Sequence, residues 1–174
     1  MNRWQKLDNT NNLIYPWYTF ETLDKLKDWD VKKWTVFEYG GGYSTLWWRN
    51  KSNKVVSIDN NLIWCNKMNL IHINDMDNYI KYPYTYSKNH NLKFDCIIID
   101  GEPCEWRDHC MKYAIQSIAK GGKIIIDNWK QDTIPLLGSD KWSNTEKIIK
   151  DNNLDYSVYK TPGHPDWKTI VINL

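Results

Sequence analysis

A large excess of charge of either sign is missing from this chain. Its 174 residues carry 23 Lys and Arg against 21 Asp and Glu, a net charge of +2. With that balance no large electrostatic footprint for nucleic acid or an anionic membrane is evident, while small local contacts stay open. Long apolar runs are missing too, and none approaches the ~20 residues that a bilayer span needs. The opening Met-Asn-Arg-Trp-Gln-Lys has no secretory apolar core, so a cytoplasmic protein with no membrane partner is expected. Cysteine is sparse. Cys65, Cys96, Cys104 and Cys110 are scattered, with Cys96 inside an apolar run, which favours reduced thiols over a disulfide framework. Cys104, His109 and Cys110 match no standard zinc spacing and lack a fourth ligand. Repeats and linkers are absent. One domain spanning 1–174 is expected, long enough for a full core, with the polar, Asn-rich residues 1–15 as a loosely ordered arm.

What the chain does have is aromatic side chains and β-branched runs. Eleven tryptophans accompany abundant Asn, Lys, Ile and Tyr, the mark of an AT-rich coding source, so most aromatics read as filler until a motif claims them. Apolar spacing predicts a helix over 19–29, then strands at 34–39, 54–59 and 70–73, with a helix opening at Ser44 and another over 62–68. A helical turn is expected at 77–81 and a polar, aromatic loop at 82–93. In that loop Tyr82, Tyr84 and Tyr86 belong to an edge strand or packed loop, or stack a planar acceptor. Residues 94–100 form the most apolar strand, and a helix follows over 105–120, stopped by Gly121-Gly122. A fifth strand at 123–127 ends in Asp127-Asn128. Ser143-Asn144-Thr145-Glu146 has the form of a capping box opening a helix to 151. Strands at 156–160 and 169–173 have no helix between them and should pair antiparallel. The alternation as a whole predicts an α/β fold with a mostly parallel sheet covered on both faces.

The most informative segment is Val36-Phe-Glu-Tyr-Gly-Gly-Gly-Tyr-Ser-Thr45, a strand that turns through glycines into a helix. Bare backbone before a helix N-terminus suits a charged ligand. A dinucleotide fingerprint needs a third glycine for close helix–strand packing, and here that place is Thr45. Glu38, two residues before the first glycine, also opposes an incoming pyrophosphate. An amino-acid-bearing nucleoside fits better. Its ammonium meets acidic or carbonyl groups, and its carboxylate meets N–H groups at the helix start. Asp59 ends the second strand about 20 residues on, where a carboxylate can accept both ribose hydroxyls. Asn74-Asp75 at the next strand end is placed to meet an adenine amine. A glycine turn made only for tight packing is the alternative.

These motifs resemble the class I S-adenosylmethionine-dependent methyltransferases over residues 17–174. Phe37–Trp48 matches the first motif, Val55–Asp59 is similar to the second, Phe94–Gly101 to the fourth, and Lys120–Asn128 to the segment at the fifth strand. The resemblance is strongest to small bacterial and phage-type members. It implies a Rossmann-like three-layer sandwich with a seven-stranded sheet of order 3-2-1-4-5-7-6 and strand 7 antiparallel. It implies a cofactor, S-adenosylmethionine, held by Glu38, Tyr39, Gly40, Gly42, Ser44, Thr45, Asp59, Asn60, Asp75 and Asp100.

Catalytic groups are expected at the carboxyl ends of strands four and five. Asp100, Asp127 and Asn128 lie there, an oxygen set that suits Mg²⁺ and is similar to that of the metal-dependent O-methyltransferases. Those enzymes carry a lysine three residues after the first Asp. Here Pro103 stands in that place, leaving Glu102 or Glu105 as the base, or none. The competing reading makes Asp127-Asn128 a polar pair that turns the chain. Arg107 and His109 are expected in a solvated helix start, with substrate contact as the alternative. Tyr15-Pro16-Trp17-Tyr18 reads as a lid or as packing, and Trp129, His164 and Trp167 as candidate substrate walls.

The function expected is methyl transfer to an oxygen or nitrogen of a small-molecule acceptor. The Asn/Asp-Pro-Pro-aromatic motif of amino-methylating nucleic-acid enzymes is absent, which disfavours nucleic acid without closing it. There is also no sizeable substrate-recognition insert, so the substrate is small or a second subunit or second copy completes the site. A non-catalytic S-adenosylmethionine-binding subunit is the alternative of another class. An NAD-dependent oxidoreductase is disfavoured by Thr45 and Glu38.

Overall fold

The computed structural model describes residues 16–174. Along these residues run α1 (Phe20–Leu26), β1 (Thr35–Tyr39), α2 (Tyr43–Lys51), β2 (Lys54–Asp59), α3 (Leu62–Met68), β3 (Ile71–His72), α4 (Met76–His90) and β4 (Phe94–Ile99). They are followed by α5 (Arg107–Ser117), β5 (Ile118–Ile126), α6 (Ser143–Asp151), β6 (Asp155–Thr161) and β7 (His164–Asn173). The sheet order is β3-β2-β1-β4-β5-β7-β6. The pairs from β3 across to β5 are parallel, and β7 runs antiparallel to both β5 and β6. This is the order and the antiparallel seventh strand that the sequence implies. None of the helices among the described residues is long and apolar enough to cross a membrane.

Alternation along the strands explains the two covered faces. In β1, Phe37 and Tyr39 face a core shared with Ile97, Ile99 and Met111, while Val36 faces the opposite core with Tyr18, Leu23, Trp48 and Ile98. Glu38 therefore sits on the Val36 face, toward α2. The chain leaves β1 toward β2 on one side and returns to β4 on the other. The order reverses between β1 and β4, the kind of switch point at which open α/β sheets hold ligands in a crevice outside the carboxyl ends.

Four expectations are corrected. The polar segment 82–93 is no loop: α4 continues to His90, with Pro83 inside it. An interior proline removes one backbone hydrogen bond and costs about 3 kcal/mol. Tyr79, Ile80, Pro83 and Ser87 nevertheless fall on one buried stripe, and Tyr82 and Tyr86 pack on Phe37 and Phe94, so packing overrides the local signal. Second, α5 ends at Ser117 and β5 already begins at Ile118, through a register shift opposite Phe94 and Cys96. Gly121 and Gly122 lie inside that strand; a Cβ on Gly122 would come within 3.0 Å of the Asp95 carbonyl. Third, β7 starts at His164, so the 162–163 turn is tighter than Pro162–Pro165 suggests.

Fourth, α6 has the expected bounds but a different cap. Its first N–H groups are bound from outside by Asp108 of α5, which accepts from Asn144 N at 3.1 Å, Asn144 Nδ2 at 2.8 Å and Thr145 N at 2.8 Å. Asp108→Ala is expected to lower stability by about 1–2 kcal/mol, read as a lower denaturation midpoint at unchanged slope. Ser143→Ala should leave the midpoint within about 0.5 kcal/mol of wild type.

Candidate functional site

The glycine loop is clamped from four sides. Gly40 N and Gly41 N both donate to the Ile58 carbonyl, at 2.9 and 3.1 Å. Gly42 N donates to Thr45 Oγ1 at 2.8 Å, and Trp64 Nε1 of α3 donates to the Gly41 carbonyl at 2.7 Å. Gly40 has φ +78°, and a Cβ there would lie 2.2 Å from Gly101 Cα, so β1 and β4 approach each other at a point that only glycine permits. With the N–H groups of Gly40, Gly41 and Gly42 used inside the loop, the donors left for a ligand are the first-turn N–H groups of α2 from Tyr43 onward.

Glu38 lies beneath this loop with no exposed surface. Its carboxylate accepts the hydroxyls of Ser44 and Thr45, and that of Ser57 at 2.8 Å. Burial pushes its pKa up to about 7, with the three hydroxyl donors pulling the other way. Glu38, Ser44 and Thr45 thus fasten the start of α2 to β1 and β2. Tyr39 likewise turns inward, and its hydroxyl donates to the Ile80 carbonyl at 2.7 Å.

The other nucleoside-side residues stand along the same carboxyl edge. Asp59 is nearly buried at the end of β2 and accepts from Asn61 N at 2.8 Å; burial raises its pKa. The Asn60 carbonyl contacts His72 Nε2 at 3.1 Å. Asp75 caps α4, accepting from Asn78 N at 2.9 Å. An aromatic row borders the loop: Trp17 stands 6.5 Å from Tyr43, which meets the edge of Trp64 at 5.8 Å. Tyr18 is buried in the α2-side core and accepts from Trp48 Nε1 at 3.3 Å; Tyr15 lies outside the described residues.

At the ends of β4 and β5, Asp100, Asp127 and Asn128 do converge, and a cation already sits among them. It is the guanidinium of Arg107, whose side chain is only 6% exposed, in place of the solvated helix start expected. Arg107 Nε donates to the Gly101 carbonyl at 2.7 Å. One terminal nitrogen reaches Asn128 Oδ1 at 2.9 Å, the Asp127 carbonyl at 3.2 Å and Asp100 Oδ1 at 3.2 Å, and the other reaches the Asp100 carbonyl at 3.1 Å. The Asp127 carboxylate turns away to accept from Thr169 Oγ1 and, at 3.3 Å, from Trp167 Nε1. Burial, then the nearby Asp100 charge, push the Asp127 carboxyl up. Burial also raises Asp100, against the pull of Arg107.

No family model matches the sequence, and no curated protein matches it. Solved structures do match. An O-methyltransferase from Streptomyces achromogenes involved in tomaymycin synthesis, in complex with S-adenosylmethionine, superposes with TM-score 0.63 at 13% identity, covering 88% of this chain and 77% of that one. An rRNA methylase from Streptococcus thermophilus gives 0.58 at 14% identity, over 87% and 93%. A Streptococcus mutans protein described as an S-adenosylmethionine-dependent methyltransferase gives 0.56 at 15% identity. The match covers 88% of this chain, which spans about half the length of that protein, 48%. The chain has the class I S-adenosylmethionine-dependent methyltransferase fold.

Within this methyltransferase fold the sequence-predicted residues divide into two groups. Gly40, Gly42, Asp59, Asn60, Asp75 and Asp100 line the carboxyl edge around the crevice, whereas the side chains of Glu38, Tyr39, Ser44 and Thr45 are directed into the protein. Asp100 keeps 22% of its side chain exposed, and among the described residues its Oδ2 makes no hydrogen bond. The Asp100, Asp127 and Asn128 set does not fit a divalent cation: Asn128 Oδ1 and Asp100 Oδ1 are engaged by Arg107, and Asp127 points to Thr169. No cluster of three His, Cys, Asp or Glu side chains suited to a metal occurs among the described residues, and all four cysteines are buried free thiols. His109 lines a groove of about 490 Å³ with Lys81, Lys112 and Lys147 between α4, α5 and α6, apart from the Asp100 cluster. Trp129 is buried against Trp142 at 4.8 Å.

Sequence reasoning missed Trp64 as a clamp and Tyr79. Among the described residues the Tyr79 hydroxyl has no hydrogen-bond partner, and it fills the space where a Cβ on Gly101 would stand, 2.0 Å away. No local pattern marks either residue, because both roles depend on how α3 and α4 dock.

Proposed function

We propose that this chain transfers a methyl group from S-adenosylmethionine to an oxygen or nitrogen of an acceptor bound beside Asp100. The observation that carries the reading is the single carboxyl edge where a pre-clamped glycine loop, the Asp59 carboxylate and the open oxygen of Asp100 stand together. The residues fit the donor molecule. Asp59 accepts the ribose hydroxyls, Asp75 and its neighbours face the base, and the first turn of α2 receives the amino-acid carboxylate. When bound, S-adenosylmethionine supplies an electrophilic methyl group attached to a sulfonium. The protein's task is then chiefly alignment, which supplies much of the acceleration in such a reaction. Asp100 Oδ2 holds the N–H or O–H of the acceptor and takes its proton as the new bond to the methyl carbon forms.

A small-molecule acceptor is the preferred class, in keeping with the near-neutral net charge of +2 and with the tomaymycin-synthesis enzyme among the similar structures. A nucleic-acid acceptor is the second class, which the similar rRNA methylase keeps in view.

Asp59→Ala is expected to weaken S-adenosylhomocysteine binding by about 10- to 100-fold, the loss of two hydrogen bonds to a charged acceptor. Equal affinity in the variant overturns the ribose assignment. Calorimetric titration of both proteins reads the difference.

A further inference from the structure

We infer that Arg107 is the fixed cation of the acceptor site, a positioning residue that takes the place of a divalent metal and holds Asp100 aimed at the acceptor. The inference rests on the reading of this crevice as a methyl-transfer site.

A divalent ion at the ends of β4 and β5 would draw its oxygens from Asp100, Asp127 and Asn128. Every one of these residues gives an oxygen to the Arg107 guanidinium instead: Asp100 Oδ1 at 3.2 Å, Asn128 Oδ1 at 2.9 Å and the Asp127 carbonyl at 3.2 Å. The carbonyls of Gly101 at 2.7 Å and Asp100 at 3.1 Å complete the ring of acceptors, and Glu102 Oε1 stands 4.0 Å away. Three nitrogens of one planar group are spent on two loop segments that follow different strands. A guanidinium has the fork geometry for this and an ammonium does not. Asn128 is fixed further by donating from Nδ2 to Gln131 Oε1 at 2.8 Å. A metal seated among Asp100 Oδ1, Asn128 Oδ1 and the Asp127 carbonyl would have to expel Arg107, and Asp100 Oδ2 alone is left open.

The consequence for the acceptor is chemical. Metal-assisted methyl transfer suits vicinal hydroxyls that chelate the ion. With Arg107 buried behind Asp100, the acceptor instead meets one carboxylate oxygen, Oδ2. The acceptor class is therefore a group presenting a single N–H or O–H donor, such as an amine or an isolated hydroxyl, and methyl transfer to it proceeds without a divalent cation.

Two measurements on the full chain test this. Mn²⁺ serves as the metal probe, read by electron paramagnetic resonance with and without S-adenosylhomocysteine. Wild type is expected to leave the free Mn²⁺ signal undiminished up to about 1 mM, far above the range of a built oxygen site. The second measurement compares melting temperatures of Arg107→Lys, which keeps the charge, and Arg107→Met, which keeps bulk alone. Removing the charge from a buried pair lowers the melting temperature by at least about 6 °C in Arg107→Met, and Arg107→Lys recovers part of the loss. Saturable Mn²⁺ binding by wild type that Asp127→Asn or Asn128→Ala abolishes overturns the inference. So does an Arg107→Met chain as stable as Arg107→Lys. Because Mn²⁺ is also read without nucleoside, a chain that failed to bind S-adenosylhomocysteine would refute the methyl-transfer reading while still answering the metal question.

Discussion

A Gly40→Ala chain is expected to melt about 10 °C below wild type and to lose most of its affinity for S-adenosylhomocysteine. Two costs add at this position. The φ of +78° puts an alanine in the left-handed region, worth about 1–3 kcal/mol, and the new Cβ would stand 2.2 Å from Gly101 Cα and 2.6 Å from the Asp100 carbonyl carbon. Both contacts are backbone, so relief requires β1 and β4 to part, another ~1–3 kcal/mol or more. That movement also displaces Asp100, whose N–H donates to the Tyr39 carbonyl at 3.1 Å. Gly42→Ala is the control. Its Cβ would meet the Trp64 ring at an ordinary 3.6 Å with an extended backbone, so its melting temperature should stay within a few degrees of wild type, about 1 kcal/mol at most. Thermal melts of the two variants side by side check the argument, and a Gly40→Ala chain as stable as Gly42→Ala contradicts it.

Stability should fall between acid and neutral pH, and the raised carboxyls of Glu38, Asp100 and Asp127 should be the source of that fall. Burial raises the folded pKa of Glu38 from 4.5 to about 7. For an acid with a raised folded pKa, the unfolded chain ionises first. The folded state then binds the extra proton, and stability drops as pH rises. The contribution is fully present below about pH 4.5, declines between there and about pH 7, and amounts to roughly 3 kcal/mol. The raised carboxyls of Asp100 and Asp127 act in the same direction. Wild type is therefore expected to melt at least about 6 °C higher at pH 5 than at pH 8. Glu38→Gln, which keeps the side-chain shape and one acceptor oxygen and carries no charge, should lose the part of that difference that Glu38 supplies. Melting curves across this range decide the matter: equal slopes in the two proteins would mean that Glu38 is ionised throughout.

Much of this architecture is legible in the sequence because its strands are short apolar runs that end in punctuation. Glu38-Tyr39-Gly40, Asp59 and Asp127 mark three strand ends where the structure has them, and β2 and α3 have the bounds that their spacing implies. The α4 helix was hidden by Pro83 and by tyrosines whose helical stripe appears only once Asp75 is taken as its N-cap and Asn91 as its left-handed C-cap. The direction of Glu38 is legible from strand alternation, since Val36 and Glu38 share a face inside β1. Arg107 was not legible at all. Its neighbours in sequence are polar, and a solvated helix start is the ordinary fate of such a run. Only the convergence of two loops after different strands, each bringing carbonyls and carboxylates, makes burial of a guanidinium favourable.

The most direct test of the central claim is a calorimetric titration of the full wild-type chain with S-adenosylhomocysteine and, separately, with NAD. The account predicts one-to-one binding of S-adenosylhomocysteine and no heat from NAD. Binding of NAD, or no binding of S-adenosylhomocysteine to a folded chain, would contradict it.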